Sequence, residues 1–247
     1  MQLVFLTALG VGGATVSGVL IGFLCREAAS AFADVVLSFA AGVMLTAAIT
    51  GLILPSFDYG GVWGMPLGIA GIFAGALCLA FAERWIPHLR FLAGERGKEN
   101  DSLDGVLLFV AAIAVHNLPE GIAAGVGFGT GEVADALMIA GGIALQNIPE
   151  GMVIVPPMLA AGIGTRRTLA VAVLTGVIEV IGTLIGYFAV RVAVAILPAV
   201  LGFAGGTMLY VIGDEMIPRT HAGECGRSST FALLVGFCLM LVIGHLL

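Results

Sequence analysis

Charged residues are scarce in this chain, and their scarcity excludes an ordinary soluble fold. Only 11% of the 247 residues are charged, whereas 60% are hydrophobic and the mean hydropathy is +1.12. These values lie far from those of soluble domains, so the composition predicts an integral membrane protein. The 10 Lys and Arg residues against 16 Asp and Glu give a net charge of −6, which argues against nucleic-acid binding.

Cysteine is a second scarce residue, and its placement excludes two common kinds of site. The 4 cysteines form no C-x-x-C pair. Most of them lie in or beside apolar stretches, where cysteine behaves as a small hydrophobic residue. The sequence therefore predicts neither a disulfide framework nor a thiolate zinc site.

Long apolar stretches separated by short polar breaks occupy almost the whole chain. A helix needs about 20 apolar residues to cross a bilayer, which leaves room for about eight crossings and no second domain. We predict a single all-α transmembrane bundle over residues 1–247, with a cytoplasmic loop at about 87–103. The predicted spans are 2–24, 35–56, 63–83, 104–129, 134–160, 167–190, 195–217 and 230–247. The first stretch begins without Lys or Arg, so we interpret it as a retained span.

The basic residues predict the orientation of the chain in the membrane. Lys and Arg accumulate in cytoplasmic loops, and with both termini outside only Arg191 falls in an outer loop. We therefore predict a multi-pass plasma-membrane protein with extracytoplasmic termini. The outer loops carry acids such as Asp58, which is a candidate for a cation entrance. Ordinary solvated loop charge is the alternative explanation.

Two related phrases lie inside the fourth and fifth predicted spans: H-N-L-P-E-G at 116–121 and Q-N-I-P-E-G at 146–151. A carboxylate in hydrocarbon is costly, so an intramembrane acid is usually functional. Residues four apart share one face of a helix, and two such faces that meet would surround one ion. This mixed oxygen and nitrogen set suits zinc, iron or manganese. The candidate ligands in the two phrases are His116, Asn117, Glu120, Gln146, Asn147 and Glu150.

Other residues extend this candidate site. Pro119 and Pro149 lack an amide hydrogen, so they predict kinks that free backbone carbonyls, as in transporters with broken helices. Glu179 in the sixth span has no positive charge nearby in sequence, and we expect it to join the same polar centre. The alternative is a protonated carboxyl bonded to a neighbouring helix. Met44 offers a thioether, although most methionines in apolar helices are packing residues.

Three polar residues near the inner end of the seventh span form a candidate exit. Asp214 and Glu215 are adjacent acids, and His221 follows within two helical turns. A histidine beside carboxylates can accept a departing metal ion, but an ordinary loop histidine explains His221 equally well.

The combined residues resemble the Zrt/Irt-like (ZIP) family of divalent metal transporters, whose fourth and fifth helices carry H-N-x-P-E-G and a related N-x-P-E-G repeat. The likeness extends to residues 39–45, 54–55, 176–179, 186–187 and 214–218. The resemblance implies eight helices, with the first three and last three inverted around kinked central helices four and five. It also implies that one bundle moves relative to the other.

The site implied by the resemblance is binuclear and lies between helices four and five. In this sequence Glu120 and Glu150 would bridge the two ions, with Glu179 and Met44 as neighbouring ligands. Gln146 departs from the commonest pattern, since histidine is frequent at that place. A carboxamide binds transition metals more weakly than imidazole does, so one of the two sites is expected to be weaker or to prefer harder ions.

The function implied by the resemblance is uptake of divalent metal ions, zinc above all and also iron, manganese or cadmium, across a bacterial inner membrane. The metal is cargo, and no resident cofactor is expected. The expected partners are the metal ions and the lipid bilayer, with a homodimer left open. A selective channel or proton relay stays open because ligands do not reveal gating. An intramembrane metalloenzyme is disfavoured because the sequence has no H-E-x-x-H helix.

Overall fold

The computed structural model describes residues 1–26, 32–92, 117–129, 133–160, 162–192, 196–221 and 226–246. All regular structure in these ranges is helical, and seven of the helices are long and apolar enough to cross a membrane. The helices are α1 (Gln2–Leu24), α2 (Ala33–Asp58), α3 (Gly64–Leu92), α4 (117–126), α5 (Val133–Ala160), α6 (Thr165–Val192), α7 (Leu197–His221) and α8 (Gly226–Leu246). The predicted all-α membrane bundle is confirmed.

The helix bounds agree with most of the predicted spans. The spans predicted for α1, α2, α5 and α6 differ from the observed helices by at most two residues at either end. α7 runs to His221 rather than to residue 217, because a helix can continue beyond the end of the apolar stretch. In its last turns the Thr220 hydroxyl bonds the Met216 carbonyl at 2.9 Å. α8 begins at Gly226 instead of residue 230. Residues 104–116 of the fourth span lie outside the described part of the chain.

The predicted cytoplasmic loop at about 87–103 begins too early, because α3 continues to Leu92. The apolar run marks where a helix leaves hydrocarbon, but it does not mark where the helix ends. Leu and Arg follow Pro87 and favour helix, and a proline removes only one backbone hydrogen bond. Residues 93–103 of the predicted loop lie outside the described ranges.

Glycine contacts join α1, α4, α5 and α6 into a first bundle. A Cβ atom added at Gly12 of α1 would lie 2.3 Å from the carbonyl oxygen of Gly176 on α6, and one at Gly18 would lie 2.2 Å from that of Ile148 on α5. α4 meets the backbone of α6 in the same way at Gly121. Only glycine allows two helix backbones to approach so closely. The first bundle is therefore held by backbone contact.

A second bundle consists of α2, α3, α7 and α8, and it is packed in the same manner. A Cβ atom at Gly42 of α2 would lie 2.0 Å from the Leu233 carbonyl oxygen on α8, and one at Gly71 of α3 would lie 2.3 Å from that of Ala199 on α7. Large apolar side chains on the outside of the fold, such as Phe73 at 65% exposure, fit a lipid environment.

The helix pairs repeat between the two halves of the chain. The two halves correspond when α1, α2 and α3 are matched with α6, α7 and α8, and α4 is matched with α5. Under this matching, the α1–α5 pair corresponds to the α6–α4 pair, and the α2–α8 pair corresponds to the α7–α3 pair. All four pairs pack together in the structure. Matched helices are separated by an odd number of membrane crossings along the chain. Each crossing reverses the direction of the chain, so the two helices of a matched pair run in opposite directions. This is the inverted 3+2+3 arrangement that the sequence resemblance implied.

The counterparts α2 and α7 also share a local irregularity. α2 is π-helical over Ala47–Ile53 and α7 over Ile212–Met216, and in each case an apolar residue and a proline follow directly. Pro55 and Pro218 supply no amide hydrogen, so the backbone ladder must shift its register before them. The two helices that correspond in the repeat therefore carry a π segment at the same place relative to a proline.

The boundary between the two bundles has a different character. At this boundary α5 packs on α2 and on α8. A Cβ atom at Gly51 of α2 would meet the side chain of Ile139 at 2.6 Å, and one at Gly142 of α5 would meet the side chain of Met240 at 2.8 Å. These neighbours are side chains, which can repack, whereas backbones cannot.

A single methyl group tests the backbone contact inside the first bundle. We expect Gly12→Ala to destabilise the protein by about 1–3 kcal/mol, because the new Cβ overlaps the backbone of α6. Gly13→Ala is the matched control, since no described atom lies within 4 Å of its Cβ position. Thermal unfolding of both variants in detergent measures the effect, and equal melting temperatures would contradict the close contact.

Candidate metal site

The structure brings six of the residues predicted from sequence into one polar centre inside the first bundle. Five of them are at most 2% exposed, and Glu150 is half-buried. The six residues are Asn117 and Glu120 on α4, Gln146, Asn147 and Glu150 on α5, and Glu179 on α6. His116 lies outside the described residues, so its predicted role stays a prediction.

A hydrogen bond links the two related phrases. Gln146 Nε2 on α5 donates to Glu120 Oε1 on α4 at 2.9 Å. The fourth and fifth helices therefore meet face to face at their polar positions. The i, i+4 spacing within each phrase produces this arrangement, since it places the polar residues on one side of each helix.

Three glutamates, one on each of α4, α5 and α6, contribute carboxyl groups to this centre. If all three were ionised, the charge on Glu120 would be opposed first by burial and then by the like charges of Glu150 and Glu179, and the charge on Glu179 would be opposed by burial and by Glu150. Coulomb interactions are strong in a poorly solvated interior, where a buried charge must be paired or neutralised. A doubly charged cation would remove this repulsion. The arrangement is thus unfavourable by itself and favourable around a metal ion.

Glu179 is the hydrogen-bonding hub of the centre. Its Oε1 accepts from the Thr15 hydroxyl of α1 at 2.7 Å and from Asn117 Nδ2, while its Oε2 accepts from Asn147 Nδ2 at 2.7 Å. The structure thus places Glu179 in the polar centre, where we expected it. Sequence reasoning missed Thr15, because a lone threonine in an apolar helix carries no signal of its own.

Several oxygen atoms in the centre have no hydrogen-bond donor within the described residues. Buried acceptors are almost always paired in folded proteins, and an unpaired one is costly. Here the unpaired atoms belong to Glu120 and to three amides that bond Glu120 or Glu179, which is the arrangement expected of cation ligands. The four atoms are Asn117 Oδ1, Glu120 Oε2, Gln146 Oε1 and Asn147 Oδ1.

The donor set defines what the centre can hold. Within the described part of the chain, no three His, Cys, Asp or Glu side chains are grouped closely enough to hold an ion by themselves. Carboxamide oxygens must therefore complete the ligand set. Carboxylate and amide oxygens make the site harder than a histidine or cysteine site.

Met44 belongs to the other bundle. Its side chain is fully buried in the apolar cluster that also contains Ile143 of α5. This position lies at the boundary between the bundles, where α2 packs on α5. The packing alternative accounts for the burial of Met44, and its role as a thioether ligand stays a prediction.

The candidate entrance and exit residues belong to α2 and α7, whereas the six residues of the polar centre belong to α4, α5 and α6. Asp58 is exposed at the end of α2, and Asp214 is exposed in the π segment of α7 beside the half-buried Glu215. His221 closes the end of α7: its Nδ1 lies 3.0 Å from the Ile217 carbonyl oxygen, and its Nε2 lies 3.1 Å from the Thr230 hydroxyl of α8. His221 is therefore the last residue of a helix and not an ordinary loop histidine, and its role at an exit stays a prediction.

Comparison with known proteins agrees with this geometry. The pattern of the family described as "ZIP Zinc transporter" matches residues 94–244. The chain is 42% identical to the zinc transporter GufA of Myxococcus xanthus over 174 residues, which is 70% of this chain and 68% of that protein. It is 35% identical to the zinc transporter ZIPB of Bordetella bronchiseptica over 236 residues, or 93% of this chain and 76% of that protein. It is 28% identical to the zinc transporter ZupT of Corynebacterium glutamicum over 98% of each chain.

Proposed function

Because the chain belongs to the ZIP family of zinc transporters, we propose that it carries zinc and related divalent metal ions through the polar centre of α4, α5 and α6. The protein is a multi-pass membrane transporter and not an enzyme, and the metal ion is its substrate rather than a cofactor. Zinc is the cargo named for its relatives. Iron, manganese and cadmium are the further cargo that we propose.

One observation carries this proposal: four buried oxygens have no donor among the described residues, and they belong to Glu120 and to three amides that hydrogen-bond Glu120 or Glu179. Glu120 supplies both a charge and one of the unpaired oxygens, and Glu150 supplies a second charge. We propose that these two carboxylates bridge a binuclear site. His116 and Gln146 then complete it, and the carboxamide makes one position weaker than an imidazole would.

The movement that we propose is alternating access by the first bundle against the second. All six described site residues belong to α4, α5 and α6, so the site would travel with one bundle. Backbone contacts hold each bundle together, whereas side chains separate them. A movement at the boundary therefore breaks fewer fixed contacts than a movement inside either bundle.

The route of the ion follows from this movement. Zinc enters from the outside near Asp58, binds between the two glutamates, and leaves inward past Asp214 and Glu215 when the bundle moves. Both termini are outside and the membrane is the bacterial inner membrane in this proposal. Carboxylates must be deprotonated to bind metal, so protons compete with the ion and favour its release.

Uptake into liposomes tests the proposed function. Purified protein reconstituted into lipid vesicles should take up radioactive zinc with a rate that saturates, because each cycle carries a limited number of ions. Unlabelled iron, manganese or cadmium should compete. A rate that rises without saturation would indicate a channel, and uptake no greater than in protein-free vesicles would overturn the proposal.

A further inference from the structure

The two carboxylate oxygens of Glu179 accept different numbers of hydrogen bonds. Each carboxylate oxygen has about two lone pairs for hydrogen bonds or metal coordination. Oε1 already accepts from two donors, the Thr15 hydroxyl and Asn117 Nδ2, whereas Oε2 accepts from Asn147 Nδ2. Oε1 is therefore filled by protein donors and has no lone pair left for an ion.

These bonds also orient two candidate ligands. A carboxylate oxygen only accepts hydrogen bonds, so Asn117 and Asn147 must turn their NH2 groups toward Glu179. The carbonyl oxygens of both amides then point away from Glu179. These are two of the buried oxygens that have no donor within the described residues. The position of the Glu179 carboxylate thus decides where both amide oxygens point.

Thr15 hydrogen-bonds across the first bundle to a carboxylate rather than along its own helix. A helical threonine commonly bonds a carbonyl three or four residues earlier, as Thr183 does to Glu179 and Thr207 does to Ala204. Thr15 instead donates across the bundle to a carboxylate 164 residues away in sequence. The Val11 carbonyl, which Thr15 would use locally, accepts from Asn147 Nδ2 at 3.3 Å.

The backbone of α1 fixes the Thr15 hydroxyl in place. A Cβ atom added at Gly151 on α5 would lie 2.3 Å from the Thr15 carbonyl oxygen, so the two helices are in direct contact at this level. Thr15 is also 2% exposed. The hydroxyl is therefore a rigid donor that water cannot easily replace.

We infer that Thr15 is a positioning residue for cargo binding: it holds Glu179 so that Asn117 and Asn147 present their oxygens to the metal ion. This inference rests on the proposed function. It assigns a role in ion binding to α1, which supplies no residue to the two related phrases. The strength of the effect follows from the bond type, since a hydrogen bond to a charged group is stronger than one between neutral groups.

Two substitutions at this position separate the hydroxyl from the shape of the side chain. Thr15→Val keeps the volume and removes the donor, and we expect it to raise the KM for zinc about tenfold while the maximal rate changes far less. Thr15→Ser restores the donor and should return the KM to within about twofold of the original value. Thr207→Val is the matched control, because Thr207 is equally buried but bonds only a backbone carbonyl within the described residues.

The readout is saturable zinc uptake into liposomes, together with the shift of melting temperature that zinc produces. If Thr15→Val is not monodisperse in detergent, Thr15→Ala replaces it with the same expectation. Equal KM values for the original protein and the variant without the hydroxyl would overturn the inference, as would a failure of Thr15→Ser to restore the KM. If the original protein shows no saturable uptake, the proposed function fails instead, so the two failures are distinguishable.

Discussion

Glu120→Gln should reduce zinc uptake by at least about 100-fold, since losing even an outer partner of a metal ligand costs roughly 10–100-fold. Glutamine keeps the size of the side chain and an oxygen that can accept from Gln146 Nε2. It removes the negative charge that Glu120 would contribute to the proposed metal site. The expected loss therefore arises from charge and coordination, and the packing of α4 on α5 is retained.

The same substitution should also affect the melting temperature of the protein in a predictable direction. Glutamine cannot ionise, so the metal-free variant avoids the cost of burying an ionisable carboxyl group beside Glu150 and Glu179. The metal-free variant should thus melt at the same temperature as the original protein or higher, while zinc should no longer raise its melting temperature. Thermal scans with and without zinc measure both quantities.

Asp135→Asn is the matched control for charge removal. Asp135 is exposed in the first turn of α5, on the same helix as Glu150. The same chemical change at this place should leave uptake within about twofold, because an exposed surface charge contributes little. Uptake by Glu120→Gln at the rate of the control would remove Glu120 from the site.

A disulfide between the two bundles should abolish transport reversibly. Gly51→Cys with Ile139→Cys joins α2 to α5 across the boundary. A Cβ atom at Gly51 lies 2.6 Å from Ile139 Cγ1, and that atom is one bond from Cβ, so the two Cβ atoms lie within the roughly 3.5–4.5 Å that a disulfide spans. Oxidation should stop uptake if the first bundle must move, and reduction should restore it.

The second bundle offers a control with the same geometry. A Cβ atom at Gly205 of α7 also lies 2.6 Å from a Cγ1 atom, that of Ile53 on α2. Gly205→Cys with Ile53→Cys therefore crosslinks two helices that belong to one bundle, and oxidation should leave uptake intact. Both pairs are made in a background whose four native cysteines are replaced by serine. Unchanged uptake by the oxidised boundary pair would contradict alternating access between these bundles.

Local chemistry made much of this protein predictable. Hydropathy located the spans because a crossing needs an unbroken apolar stretch of known length. The residues of the two phrases were recognisable because an acid at membrane depth is rare. The end of α3 was not predictable from hydropathy, since a helix can continue beyond the hydrocarbon, as it does here to Leu92.

The amino-acid order was thus sufficient for the helices, the family resemblance and the polar residues of the centre, since each depends on neighbours within a few turns. The tertiary fold alone revealed which helices form each bundle, that Gln146 bonds Glu120, and that Thr15 joins Glu179. These contacts connect residues far apart in sequence, and the close backbone approach of particular glycines decides which side chains can meet.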